Sequence, residues 1–147
     1  MTLESKTFSY HADLVWQGGR LARATAGDRP PVLVGPPRDF PGGDPNQWSP
    51  EHLFLASLQS CTMLSFLAHC SHNDVEVTGY ESKADGEIAR REDDQRYAFR
   101  KLTMTVIVAV AAGQADRARG LTAKAERDCF ISASTRAEVE TRWQISE

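Results

Sequence analysis

Residues 49–70 read SPEHLFLASLQSCTMLSFLAHC, and the eighteen positions from Leu53 to Cys70 hold no Asp, Glu, Lys or Arg. The stretch opens as a helix should. Ser49 can cap, Pro50 suits the first helical position, Glu51 favours the positive end of the dipole, and Trp48 can staple onto Leu53. The run approaches the length of a membrane span, but Ser57, Gln59, Ser60, Thr62 and Ser65 make its centre too polar for a lone one, so no membrane association is expected. A helix apolar on nearly all sides needs protein on all sides. At 1.5 Å per residue it is a rod of about 30 Å, more than the remaining elements of one such chain can wrap. A second copy is therefore expected to cover it, most simply as a two-fold homodimer.

Outward from this helix the chain alternates in character. Thr7 to Ala26 mixes β-branched and aromatic residues around Gly18-Gly19, which predicts a β-hairpin with a glycine turn. Gly27 to Asn46 carries six of the seven prolines, and proline fixes φ and lacks a donor, so this segment is expected to be an exposed, shaped loop and neither a helix nor a central strand. After the helix, Val75 to Arg90 reads as extended. Tyr97 to Val110 (YAFRKLTMTVIVAV) is the strongest strand pattern, with Leu102, Met104, Val106, Val108 and Val110 on one face at period two. Ala115 to Arg127 is rich in helix formers and charge and reads as one surface helix with a cost at Gly120. Cys129 begins a short helical stretch, and Glu138 to Ile145 alternates as a closing strand. The order β-β-α-β-β-α-β predicts an α+β domain, 1–147, with mainly antiparallel sheet.

Composition narrows the function classes. The 147 residues fit one domain, and 41% hydrophobic with 25% charged residues is ordinary for a soluble globular protein. A net charge of −3 supplies no electrostatic reason to expect nucleic acid. MTLESKTFSY has neither an apolar core region nor a basic run, so a cytoplasmic location is the expectation. Three cysteines, Cys61, Cys70 and Cys129, are too few and odd in number for a secreted disulfide scaffold, which leaves redox chemistry, metal ligation or burial.

Cys61 and Cys70 lie nine residues apart, about 180° around one helix and about 13 Å along it, so they cannot bond to each other. Cys70 reads as a buried small hydrophobe. Cys129 precedes a helical turn whose free amides favour a thiolate. Docked against Cys61 it would make a peroxidatic and resolving pair; spacing alone leaves equally open that the two are unrelated core cysteines.

The residues WQGGR at 16–20, GDPNQWSPEHLF at 43–54, SCTML at 60–64 and CFIS at 129–132 make the chain resemble the OsmC/Ohr family of thiol peroxidases over nearly its whole length. Pro50-Glu51, a cysteine ten residues later and a second cysteine at a later helix start form the set that carries the likeness. The resemblance implies an OsmC-like α+β fold: antiparallel sheets, long central helices, and an intertwined homodimer with two active sites at the interface. It implies reduction of organic hydroperoxides, with Cys61 peroxidatic, Cys129 resolving, and a lipoamide-type dithiol as reductant. No metal, haem or flavin is implied. An arginine must favour the thiolate, since a free cysteine titrates near about 8.5. Arg20 matches the Ohr-branch position. Other branches place the arginine before Gly43-Asp44-Pro45, where this chain has Gly42, and Arg38 is the alternative there. Glu51 would orient the guanidinium; ten helical residues, about 15 Å, separate it from its own Cys61, so the Glu51 that serves Cys61 is expected from a second copy or through the arginine. Phe40, Trp48, Phe54 and Phe130, with Arg38, are the candidate substrate contacts, and Leu55 could join them.

Two rival functions follow from the same residues. His69, Cys70 and His72 cluster at the helix end, but their spacing matches no standard zinc pattern. A small-molecule-binding or stress protein without peroxidase turnover is the other, since folds outlive chemistry and Gly42 removes one expected group.

Overall fold

The computed structural model describes residues 5–147; the reading of the chain start over Met1 to Glu4 lies outside them. The chain forms two compact units, up to Leu53 and Phe54–Glu147.

In the first unit, strands β1 (Asp13–Trp16), β2 (Ala22–Thr25) and β3 (Val32–Val34) make an antiparallel sheet in the order β1-β2-β3. The hairpin is the expected one. Gly18 and Gly19 take φ of 100° and 55°, a region open to glycine without steric cost, and Gln17 N–H donates to Leu21 O at 2.8 Å across the turn. The proline-rich segment contains one element that its composition concealed: β3 follows Pro30-Pro31 and lies at the sheet edge, where a missing donor is tolerated. All of β1 is exposed, with Leu14, Val15 and Trp16 at 67%, 60% and 72%.

Helix α1 (Pro50–His72) starts where the sequence places it. Ser49 is fully buried, and its Oγ accepts from the His52 amide at 3.2 Å. By length and composition α1 could cross a membrane, but Leu58, Thr62, Phe66 and Cys70 are buried, and the apolar three of them join the core of the second unit. Positions four apart share one face of a helix, so that face is a core face.

The second unit is built on β4 (Val77–Arg90), β5 (Tyr97–Val110) and β6 (Glu138–Ser146), in the order β4-β5-β6. β5 is central, and its predicted face holds: Leu102, Met104, Val106, Val108 and Val110 are at most 2% exposed. β4 pairs with it antiparallel, as expected, but β6 pairs parallel, a correction to the antiparallel reading. A parallel neighbour needs a crossover, which Ala111 to Ala137 provides through α2 (Ala115–Arg119), α3 (Thr122–Arg127) and α4 (Phe130–Ala133). The single surface helix expected over 115–127 is thus two. The break falls at Gly120-Leu121, where Leu121 N–H donates to Ala118 O at 3.0 Å, a tightened i→i−3 bond that sets Leu121 and Ala125 into the core at 4% and 0% exposure.

Burial pushes the Cys70 thiol up to about 11, and burial, with the charge of Cys129 adding to it, pushes the Tyr80 phenol up to about 12. Both groups are protonated in folded and unfolded chains below the ordinary thiol value of 9.0. Above it the unfolded chain loses protons that the folded chain keeps, so unfolding gains. The urea midpoint is expected to hold up to about pH 9 and to fall progressively toward pH 12; a midpoint flat across that window would contradict these burials.

Candidate active site

The second unit brings Cys61 and Cys129 together. A polar stripe on α1 achieves this. Thr62 Oγ1 donates to Cys129 Sγ at 3.5 Å, Ser65 Oγ donates to Ala125 O at 2.9 Å, and His69 Nε2 lies 2.8 Å from Asp128 Oδ2. Spaced at three and four residues, these side chains lie on one face and hold the α3–α4 segment along it. Arg127 also forks onto Asp128 at 2.8 and 2.9 Å; Arg127 first, then His69, hold that carboxyl down to about 2. His69 is therefore engaged in placing the Cys129 segment, Cys70 is in the core, and among the described residues no group of three or more His, Cys, Asp or Glu is disposed to bind a metal.

Cys129 is the N-cap of α4, and its Sγ accepts from Ser132 N–H at 3.5 Å. All three cysteines are free thiols. Burial raises the Cys61 thiol; the Ile131 and Phe130 amides at the start of α4 oppose this, and the net direction is upward. Burial would raise Cys129 too, but the Ser132 amide, the Thr62 hydroxyl, the Ser132 hydroxyl and the Cys61 thiol together bring it below its ordinary value. Accessibility runs the other way: Cys129 is 1% exposed, whereas Cys61 is only partly buried. Phe130, next to Cys129, is 67% exposed. Phe54 stacks on Phe99 with centroids 4.9 Å apart, at the margin of the core, where Leu55 also packs.

The first unit brings Arg20, Glu51 and Phe40 together around a cavity of about 640 Å³, walled also by Leu14, Val34 and Leu53. Glu51 Oε2 is buried and has no hydrogen-bond partner among the described residues, an acceptor left unsatisfied beside the cavity. The Arg20 stem rests on the proline-rich loop at Gly42. There φ is 81°, and a Cβ would stand 3.0 Å from Arg20 Cδ. The glycine found in place of the expected arginine makes room for Arg20. Arg38 is exposed and does not line this cavity; Trp48, 51% exposed, lines a smaller one of about 230 Å³ with His52.

Sequence reasoning missed Thr62, Ser65 and Ser132, and it did not foresee Tyr80, whose buried hydroxyl has no hydrogen-bond partner among the described residues and feels the charge of Cys129. The available signal was one threonine in the otherwise apolar 58-62-66-70 stripe.

The OsmC-like protein family matches residues 42–144. The chain belongs to that family. An OsmC-like protein of unknown function from Vibrio cholerae O1 biovar eltor superposes with a TM-score of 0.84 at 20% identity, covering 94% of this chain and 100% of that one. An OsmC-like protein from Mycoplasma pneumoniae gives 0.77 at 10% identity, covering 99% and 100%. An organic hydroperoxide resistance protein from Elizabethkingia anophelis gives 0.72 at 18% identity, covering 97% and 98%. At these identities the neighbours establish the OsmC-like fold for the chain and leave its chemistry to its own residues. No curated protein sequence matches.

Proposed function

We propose that this chain is a cytoplasmic thiol peroxidase that reduces organic hydroperoxides, acting over its whole length as one domain of an intertwined homodimer. The observation that carries this is the meeting of Cys61 and Cys129, 68 positions apart in the sequence, on one hydrogen-bonded patch. The Cys61 thiolate attacks the outer peroxide oxygen; the O–O bond breaks, the alkoxide leaves and takes a proton as the alcohol, and Cys61 becomes a sulfenic acid. Cys129 then attacks the sulfenic sulfur, water departs, and a disulfide remains. A dithiol of the lipoamide type returns both cysteines to thiols.

The lower pKa direction at Cys129 would nominate it as the attacking thiol, but at 1% exposure it presents almost no surface to a peroxide. Cys61 is reachable and raised, so it needs a cation. Arg20 of a second copy supplies it in this reading, oriented by that copy's Glu51, with the cavity beside Phe40 receiving the alkyl chain. Support for the second copy comes from what one chain leaves bare. Leu64 on α1 is 61% exposed, and separately β1 presents Leu14, Val15 and Trp16 as a row of exposed apolar side chains, surface of the kind that association covers.

Titrating thiols after stoichiometric cumene hydroperoxide tests the proposal. Two thiols per chain should vanish, and peptide mapping should find Cys61 joined to Cys129. Unchanged thiols would favour a second reading, a binding protein that uses the Arg20–Glu51 cavity without turnover, for which the raised Cys61 pKa is the supporting observation.

A further inference from the structure

The oxidised pair has two sulfur atoms that a reducing thiol could attack, and this chain treats them unequally. Cys129 Sγ is enclosed, with the residue 1% exposed, while Cys61 retains access. The enclosing atoms are donors: Thr62 Oγ1 and the Ser132 amide, each 3.5 Å from Cys129 Sγ. Thr62 is itself 2% exposed and is the next residue to Cys61 on α1, so its hydroxyl is carried with the pair whichever bond the sulfurs form. In thiol–disulfide exchange the attacked sulfur keeps the incoming group and the other departs as a thiolate, faster when that thiolate is better stabilised. Hydrogen bonds to a charged atom are the stronger kind.

From this we infer that Thr62 is a catalytic residue of the reductive half-reaction: with Ser132 it stabilises Cys129 as the leaving thiolate, so that a dithiol reductant attacks Cys61 and never Cys129. The inference rests on the proposed Cys61–Cys129 disulfide. In the step, a reductant thiolate bonds to Cys61 Sγ while the Cys61–Cys129 bond breaks, and its electron pair goes to Cys129 Sγ, which accepts from Thr62 and Ser132. The second thiol of the reductant gives up its proton and attacks the reductant sulfur of the mixed disulfide. Cys61 leaves as a thiolate, and the reductant departs as a cyclic disulfide, two electrons having passed to the protein. Access and leaving-group quality select the same sulfur.

The test uses the full chain. Wild-type protein is oxidised with cumene hydroperoxide and, in parallel, with diamide, then given brief excess 2-mercaptoethanol, quenched by alkylation and mapped. The adduct is expected on Cys61, with Cys129 alkylated; an adduct chiefly on Cys129 overturns the inference. Reduction of the preformed disulfide by dithiothreitol should slow about tenfold in Thr62→Val and recover in Thr62→Ser, which keeps the hydroxyl. Thiolate ultraviolet absorbance followed against pH in a Cys61→Ser, Cys70→Ser background should show the Cys129 thiol titrating higher in Thr62→Val and unchanged in Thr62→Ser, a shift that mere repacking would not produce. Wild-type rates in Thr62→Val also overturn it. Should that variant fail to fold, the wild-type mapping still decides. If diamide forms the disulfide and peroxide does not, the peroxidase reading falls while the Cys61 adduct continues to judge this one.

Discussion

Cys61→Ser is expected to reduce hydroperoxide consumption to the level of the reductant alone, while Cys70→Ser keeps nearly all of it. A serine oxygen cannot be carried to the sulfenic state, so the first bond change has no acceptor. Cys70 lies on the same helix but belongs to the core, at 1% exposure with its thiol pushed up to about 11. It stays protonated and out of reach of peroxide. Consumption of cumene hydroperoxide with dihydrolipoamide, followed for both variants, checks the assignment. Equal losses would contradict it, because nothing in the core role of Cys70 links it to turnover.

Phe66→Ala is expected to cost about 3–5 kcal/mol of unfolding free energy, the usual range for emptying a buried aromatic site. Phe66 is fully buried, with its ring centroid 4.9 Å from that of Trp143 on β6 and 6.3 Å from that of Tyr80 on β4. It packs α1 against the sheet. The void cannot close easily, since α1 is also tied down by Gln59 Nε2, which donates to Ser82 O and Oγ at 3.0 Å. A domain of this kind has about 5–15 kcal/mol to lose in total, so urea unfolding should show a large fall in midpoint. A loss under about 1 kcal/mol would mean that the helix face seen here is not the one that holds the unit together.

The elements legible in the sequence were those whose signal is local. The Ser49-Pro50-Glu51 start, the glycine turn at 18–19 and the period-two face of β5 each depend on neighbours in the chain, and the bounds of β5 came out as read. Elements that depend on distant neighbours came out less well. β3 is three residues in a proline-rich loop, made a strand by pairing with β2 and by a bridge from Val34 to Trp48. β6 has the alternation of any strand, and alternation carries no direction, so its parallel pairing with β5 was unreadable. The break between α2 and α3 was marked by Gly120, but a glycine in a helical pattern is a cost that packing can accept or refuse.

The candidate site divides in the same way. Sequence alone determined which atoms could do chemistry, because a thiol, a guanidinium and a carboxylate are properties of residue type, and the resemblance to the OsmC/Ohr family singled out Cys61, Cys129, Arg20 and Glu51. Only the tertiary structure decided that Thr62, Ser65 and His69 lay one face of α1 along the Cys129 segment, that Gly42 cradles Arg20, and that Cys129 and not Cys61 is the enclosed, better-stabilised sulfur. Burial and hydrogen bonding across sixty residues of chain set those properties, and no local pattern records them.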